Sequence, residues 1–258
     1  MFPVYSIAKP FLAQAVLELN LPLNDQIGKH LPDLDPTYAT RRIDQLLNHT
    51  SGLADYSFLK EYGQAVEARE DAWSRDELLE RCLVFPHTHD GFQYSNIGYL
   101  LLRMLVESKT NKSMFQAIEQ LVFEPLDISG LAEWEIKTDL VPNYDPRWVY
   151  SGTFLADEDS IKGGFVKLLQ HRAKTLGLNF DIADVPYPNT GFEKPGYGYG
   201  LMCDVATGSP KYIGHGGGGP GYSHMLLVNT ANWQVAIESS TQEFIQTEAI
   251  LRLRKQLD

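Results

Sequence analysis

The order of three short polar motifs along this chain limits most strongly what it can fold into. Ser6 and Lys9 stand three residues apart, next to an apolar pattern with helical period at residues 11–19. Residues three apart share one face of a helix, so the ammonium of Lys9 can reach the hydroxyl of Ser6. A helix N-terminus also directs backbone N–H groups at developing negative charge. This spacing therefore predicts a serine that is activated without a histidine.

Two later motifs accompany this pair. Tyr94-Ser95-Asn96 precedes apolar residues at helical spacing, and His215-Gly216-Gly217 opens a glycine run before an apolar strand. Each motif is weak by itself, because a bare Ser-x-x-Lys is most often a helix-capping serine beside a solvated lysine. Matches without such flanks are interpreted as chance: residues 57–60, 187–189 and 89–91.

Together these motifs resemble the serine beta-lactamase and penicillin-binding-protein superfamily, above all the branch with class C beta-lactamases, D-alanyl-D-alanine carboxypeptidases and related esterases. The resemblance covers nearly the whole chain. It implies an α+β fold, in which a helical region packs on an antiparallel sheet with flanking helices and the active site lies between them. The segments that carry it occur in the expected order: 5–11, 45–53, 92–99, 123–126 and 214–222.

Composition limits the classes of function. The chain has 258 residues, of which 43% are hydrophobic, enough for one large domain over residues 1–258. Its formal net charge of -11 disfavours nucleic acid, whose phosphates attract Lys and Arg. Cys82 and Cys203 lie too far apart in sequence to suggest a disulfide framework or a zinc site. No segment approaches the roughly 18–20 apolar residues of a membrane span.

The chain divides into two regions by pattern. Residues 20–190 are predicted to be mainly helices and loops, with long ordered loops at 139–152 and 179–200. Residues 195–258 are predicted to form the sheet-side region together with a helix at 6–19. That region contains three predicted strands and a closing helix, at 212–215, 222–229, 233–238 and 244–253.

The resemblance also raises an expectation about the start of the chain. Members of the superfamily usually carry two strands before the Ser-x-x-Lys helix, whereas only residues 1–5 precede Ser6. We expect this pair of strands to be missing and a sheet edge to be exposed, which favours self-association. The chain as written is expected to be cytoplasmic, or periplasmic or secreted if a longer N-terminal segment exists.

The resemblance and the chemistry assign roles to three residues. Ser6 is the predicted nucleophile, which needs a base to take its proton. Either Lys9, with a pKa lowered by burial, or Tyr94, as a phenolate beside Lys9, can be that base, and the two form a coupled pair. The resemblance further makes Tyr94 the acid that protonates the leaving group. Asn96 is predicted to bind Lys9 or a substrate amide, or to cap a helix.

The glycine-rich segment supplies the remaining site residues. His215 takes the position where beta-lactamases often carry the lysine of Lys-Thr-Gly, and by resemblance it lines the pocket. Gly217 and Gly218 let a substrate backbone approach, and Gly218 would form the oxyanion hole with the N–H of Ser6. Because a neutral imidazole is a poorer partner for an anion than an ammonium, recognition of a substrate carboxylate is in doubt.

The leading hypothesis is therefore a serine hydrolase that forms an acyl-enzyme on Ser6 with small esters, amides, D-amino-acid peptides or beta-lactams. The alternatives are a non-catalytic binding or sensor module on the same fold and a truncated, inactive product. No metal or organic cofactor is predicted, since the short-spaced histidines at 87–90 are more often solvated. Aromatic residues in the loops are equally consistent with a substrate wall and with loop packing: Trp148, Tyr150, Phe192, Tyr197 and Tyr199.

Overall fold

The computed structural model describes residues 1–86, 91–178, 180–206, 208–242 and 244–258. Within them, the α-helices are α1 (Lys9–Glu18), α2 (Pro36–Ala39), α3 (Ile43–Leu47), α4 (Lys60–Glu67), α5 (Arg75–Cys82), α6 (Asn96–Thr110), α7 (Met114–Ile118), α8 (Glu158–Thr175) and α9 (Gln246–Leu257). The strands are β1 (Phe2–Pro3), β2 (Leu131–Glu133), β3 (Phe154–Ala156), β4 (Ala183–Asp184), β5 (Pro195–Gly198), β6 (Leu201–Asp204), β7 (Tyr212–Gly219), β8 (Tyr222–Asn229) and β9 (Gln234–Ser240). None of the helices in the described ranges is long and apolar enough to cross a membrane.

The main sheet is antiparallel throughout, in the order β4-β5-β6-β7-β8-β9. Strand β8 separates two apolar layers, because successive side chains of a strand point to opposite faces. Leu226 and Val228 belong to the large core on the helical side, whereas Met225 and Leu227 pack with α9 on the other face. The α+β fold expected from the sequence is confirmed.

Strands β4 and β5 correct the sequence prediction, which assigned a long loop to residues 179–200. Their glycines, prolines and tyrosines are typical of turns, yet Tyr197 is buried and pairs with Met202 of the neighbouring strand. Packing of these residues in the sheet outweighs the local preference. The sheet also begins at residue 183, inside the range assigned to the helical region.

The predicted strand at 212–215 is four residues longer in the structure, because β7 continues through the glycine run to Gly219. At the other end of the sheet, β9 pairs with β8 and is the last of the described strands in the order. Residues before Ser6 contribute β1, which pairs with β3 in a separate sheet of order β1-β3-β2.

Helix α1 lies in the centre of the molecule and is buried on all sides over residues 9–16. Arg172 of α8 fixes it in place, although its guanidinium has no exposed surface. It donates to the side-chain oxygen of Gln14 at 2.8 Å, to the Pro10 carbonyl at 2.6 Å and to the Tyr199 carbonyl at 2.7 Å. Burial lowers the pKa of Arg172 to about 10, so the group stays charged near neutrality.

Candidate active site

Ser6 lies on a short 3-10 turn, Tyr5–Ala8, which leads directly into α1. Tyr5 has the left-handed backbone angle φ 48°, which is uncommon for a residue with a side chain. Its amide donates to the hydroxyl of Thr153 at 2.9 Å, and its own hydroxyl donates to the Pro220 carbonyl at 2.6 Å. The turn that carries Ser6 is thus held by β3 on one side and by the hairpin between β7 and β8 on the other.

Lys9 is completely buried beneath Ser6. Its ammonium nitrogen lies 2.8 Å from Ser6 Oγ, 2.7 Å from Asn96 Oδ1 and 3.2 Å from Ser151 Oγ. Burial lowers the pKa of Lys9 to about 7, against a smaller opposing effect of the Asp55 carboxylate. Near neutral pH this amine therefore exists in both protonation states.

Asp55 positions the start of α6 next to Lys9. Its buried carboxylate accepts the amide N–H of Asn96 at 2.5 Å and that of Ser57 at 2.8 Å. The cap of the helix is Ser95, whose hydroxyl accepts from a first-turn amide, so Asn96 is the first residue of α6 and its side chain is available to Lys9. Asp55 and Ser151 belong to no motif, and sequence reasoning missed both.

Tyr94 precedes this cap, and its phenol is hydrogen-bonded to Ser6. Burial raises the pKa of Tyr94, with the bond to Ser6 opposing and the Asp55 carboxylate adding to the shift, so the phenol is protonated at neutral pH. The ring of His49 lies against it, with centroids 4.2 Å apart. His49 Nδ1 accepts the amide N–H of Ser95 at 3.1 Å, so His49 holds the segment that carries Tyr94.

Strand β7 passes close to the turn that carries Ser6. A Cβ atom at Gly217 would lie 2.3 Å from the carbonyl oxygen of Val4 and 3.4 Å from the amide nitrogen of Ser6, so only glycine fits there. Pairing with β6 ends at Gly214, and beyond it this edge of β7 faces the cavity. Gly218, four residues further, is exposed on the cavity wall.

His215 is buried in the same wall, and both of its ring nitrogens are occupied. Nδ1 lies 2.5 Å from the Gly216 carbonyl, which can only accept, so Nδ1 carries the proton. Nε2 then accepts from the Tyr197 hydroxyl at 3.0 Å. Burial, assisted by the charge of Lys9, lowers the pKa of His215 to about 3 and keeps the imidazole neutral.

Ser6 opens into a cavity of about 520 Å³, called the Ser6 cleft below. Of the aromatic residues considered as a substrate wall, Phe192 and Tyr197 line it. Trp148 and Tyr150 pack against each other in the core, and Tyr199 stacks on a neighbouring ring. Among the described residues, those that line the cleft are Ser6, Phe92, Tyr94, Val185, Tyr187, Pro188, Asn189, Thr190, Phe192, Pro195, Gly196, Tyr197, Met202, His215, Gly216, Gly217, Gly218, Ser223, His224, Phe244, Gln246 and Thr247.

A second cavity of about 580 Å³ adjoins the first. Phe92, Tyr94 and Tyr187 line both cavities and form the partition between them. Asp55 and Asn96 lie on the side of the second cavity only. The turn that carries Ser6 is therefore open to the first cavity, and Tyr94 lies between the two cavities.

The structure brings the sequence-predicted residues to one place. Ser6, Lys9, Tyr94 and Asn96 form a connected cluster, and the glycine-rich strand with His215, Gly217 and Gly218 borders it. The weaker metal hypothesis at residues 87–90 lies outside the described residues. Within the described ranges, no group of three or more His, Cys, Asp or Glu side chains is arranged to hold a metal ion.

Comparison with known proteins gives matches along the whole chain. The family described as Beta-lactamase matches residues 1–162. Penicillin-binding protein 4* of Bacillus subtilis is 24% identical over 263 residues, covering 88% of this chain and 57% of that protein. Protein flp of Staphylococcus aureus (strain MW2) is 29% identical over 49% of this chain and 27% of its own length. The chain thus spans little more than half the length of the longer-matching relative.

Solved structures give the same picture of the fold. The D-amino acid amidase from Ochrobactrum anthropi SV3, complexed with D-phenylalanine, superposes with a TM-score of 0.78 at 19% identity, covering 99% of this chain and 92% of that one. A D-stereospecific amidohydrolase from Streptomyces sp. superposes with a TM-score of 0.73 at 25% identity, covering 92% and 81%.

Proposed function

We propose, from the premise that this chain belongs to the beta-lactamase family, that it is a serine hydrolase which forms an acyl-enzyme on Ser6. The observation that carries the proposal is the pairing of Ser6 Oγ with a buried amine. Lys9 Nζ lies 2.8 Å away, and burial lowers the pKa of Lys9 to about 7. An amine with a pKa near the working pH is well suited to general base catalysis.

In the first half-reaction, neutral Lys9 takes the proton of Ser6 while Oγ forms a bond to the substrate carbonyl carbon. The intermediate then collapses, and the bond to the leaving group breaks. Tyr94 donates its phenolic proton to the departing oxygen or nitrogen and regains one from Lys9. The raised pKa of Tyr94 supports this acid role, because burial keeps the phenol protonated until the leaving group needs it.

In the second half-reaction, water replaces the leaving group. The same pair removes a proton from water as its oxygen attacks the acyl carbon, and the proton returns to Ser6 Oγ as the ester bond breaks. Asn96 and Ser151 support both steps, since each gives Lys9 Nζ a neutral oxygen partner that orients it without fixing its charge.

The negative charge on the carbonyl oxygen needs donors in both half-reactions. We assign this role to the backbone N–H groups of Ser6 and Gly218. The close passage of β7 beside the turn, which requires glycine at 217, brings the strand within reach of the same substrate atom. Losing one such donor typically costs about 2.7–4 kcal/mol of transition-state stabilisation.

The substrate class proposed is a small ester or amide. The D-amino acid amidase and the D-stereospecific amidohydrolase of similar fold favour amides, and the superfamily resemblance adds D-amino-acid peptides and beta-lactams.

Mass spectrometry of the intact protein after exposure to a fluorophosphonate tests the proposal. One phosphonyl adduct is expected on the wild type and on Ser57→Ala, and none on Ser6→Ala. Ser57 is a matched control because it begins the chance Ser-x-x-Lys match. A folded wild type that gains no adduct would exclude an activated Ser6 and favour a binding module.

A further inference from the structure

The Ser6 cleft contains no full charge among its described lining residues. Its lining has aromatic and aliphatic side chains, amides, hydroxyls and glycines, but no Asp, Glu, Lys or Arg. An ionised group that enters such a cavity loses its water without gaining a counter-charge. The uncharged lining therefore disfavours substrates that place an ionised group next to Ser6.

The two histidines of the cleft do not supply a charge either. His215 is neutral, with one nitrogen donating to Gly216 and the other accepting from Tyr197. His224 is held in the same manner. Its Nε2 lies 3.1 Å from the Pro3 carbonyl and must donate, so Nδ1 accepts from the Ser239 hydroxyl at 2.9 Å. Burial lowers the pKa of His224 to about 4.

Two charged residues described beside Ser6 and Tyr94 are already engaged elsewhere. Lys9 has no exposed surface, and its donors are directed at Ser6, Asn96 and Ser151. Asp55 lies beyond Tyr94, and its two oxygens accept backbone amides. In addition, the net charge of -11 gives a field that repels anions.

We propose that the Ser6 cleft selects acyl donors without a carboxylate or ammonium in the group that fills it, so that the preferred substrates are neutral esters or amides with an apolar acyl group. This inference rests on the proposed function. It predicts that free carboxylates, and the free amino group of an amino acid amide, are disfavoured. His215 contributes to this specificity as a neutral part of the wall, and the Tyr197 hydroxyl occupies its second nitrogen.

A matched series of p-nitrophenyl esters tests the inference. Hexanoate, hydrogen adipate and 6-aminohexanoate share the leaving group and have similar length, but their acyl ends are neutral, anionic and cationic, and their chains are too long for ready five- or six-membered ring closure. After subtraction of the enzyme-free rate, kcat/KM for the hexanoate should exceed that of each charged ester at least about tenfold, because the described lining has no counter-charge. Equal values, or a faster charged ester, would overturn the inference.

A charge introduced into the wall gives a second test. His215→Lys should lower the hexanoate to adipate selectivity at least about tenfold, whereas His215→Gln, which adds no charge, should leave the selectivity near that of the wild type. Met202→Lys repeats the test at another lining position in case the first variant does not fold. Unchanged selectivity in both folded lysine variants would count against the inference.

The proposed function and this inference fail in different ways. If Ser6 takes no fluorophosphonate and no ester is hydrolysed, the hydrolase assignment fails. If Ser6 is labelled and the neutral and charged esters react alike, only the inference fails. Benzylpenicillin and its methyl ester extend the comparison, since they differ by one free carboxylate. Faster acylation of Ser6 by the free acid than by the methyl ester would contradict the inference.

Discussion

Lys9, the first residue of α1, and Arg172, which binds that helix from α8, are both basic residues without exposed surface, but they differ in their partners and their pKa. Lys9 is bound by two hydroxyls and an amide oxygen, and burial brings its pKa to about 7. Arg172 is bound by two backbone carbonyls and an amide oxygen, and burial brings its pKa only to about 10. Neither forms an ion pair with a carboxylate among its described contacts.

The difference shows that burial alone does not make a cation reactive. A guanidinium is so basic that a large loss of hydration leaves it protonated, and its planar donors hold several carbonyls at once. An ammonium has a lower intrinsic pKa, so a similar environment moves its titration into the neutral range. One end of α1 therefore carries an amine that titrates near neutral pH, and the helix is fixed at Pro10 and Gln14 by a permanent charge.

The largest effect is expected when the amine of Lys9 is removed while the volume of its side chain is kept. In Lys9→Met, ester hydrolysis or fluorophosphonate labelling should slow by about 10³-fold, within the range for loss of a general base. Stability should not fall, because a desolvated ammonium is removed. Lys29→Met, at a 63% exposed side chain, is the matched control. A variant that retains a tenth of wild-type activity would indicate a different base.

A carboxylate beside Lys9 should raise its pKa, so that Lys9 stays protonated near neutral pH as Arg172 does. In the wild type, activity should rise as pH increases through about 7, since only neutral Lys9 accepts a proton. Asn96→Asp places a negative charge near Nζ and stabilises the ammonium, so this rise should move upward by about 1–3 pH units. The pH profile of kcat/KM measures the shift.

The control for this substitution is Asn111→Asp, which makes the same change at the far, exposed end of α6. Its profile should match that of the wild type. An Asn96→Asp profile that stayed in place would mean that the rise does not report Lys9.

Removing Arg172 should affect stability more than chemistry. Arg172→Met leaves three buried oxygens without their donor, and we expect the free energy of unfolding to fall by about 3 kcal/mol. Urea denaturation measures the loss. Arg252→Met, at a residue whose exposed side chain pairs with Glu238 and Glu248, should cost less than about 1 kcal/mol. Similar losses in both variants would contradict the role given to Arg172.

The smallest effect is the pH dependence of stability that Lys9 causes. Its folded pKa lies below the unfolded value of 10.5, so between pH 7 and 10.5 the unfolded chain binds more protons. The wild type should therefore gain stability relative to Lys9→Met as pH rises, by about 2 kcal/mol between pH 7 and 9. A difference that is constant over this range would exclude a strongly lowered pKa for Lys9.

The sequence predicts the residues of the candidate site better than it predicts the residues that hold them in place. Ser6, Lys9, Tyr94 and Asn96 stand in short motifs whose spacing is visible in one dimension. Ser151 does not, since its bond to Lys9 joins residues 142 positions apart in the chain. Arg172 and Gln14 are likewise 158 positions apart. Such contacts form because segments distant in sequence pack together, and no local sequence pattern predicts them.

The fold shows the same division. Apolar runs joined by a polar turn predict β8 and β9. Ser74-Arg75-Asp76-Glu77 and Ser113-Met114-Phe115-Gln116 are typical of capped helix starts, and α5 and α7 begin there. Strand β5 was missed because its proline, glycines and tyrosine are also typical of turns. It pairs with β6, a neighbour that local propensity does not contain.

The left-handed backbone of Tyr5 has a consequence for engineering. The four residues from Ser6 to Lys9 begin on a turn whose shape is imposed by Thr153 and by the hairpin at Pro220. Transferring the tetrapeptide onto a regular helix of another protein would reproduce its sequence but none of these contacts. A designer who wanted this Ser-x-x-Lys geometry in another protein would have to transfer three segments together: the turn, the segment at Thr153 and the hairpin at Pro220.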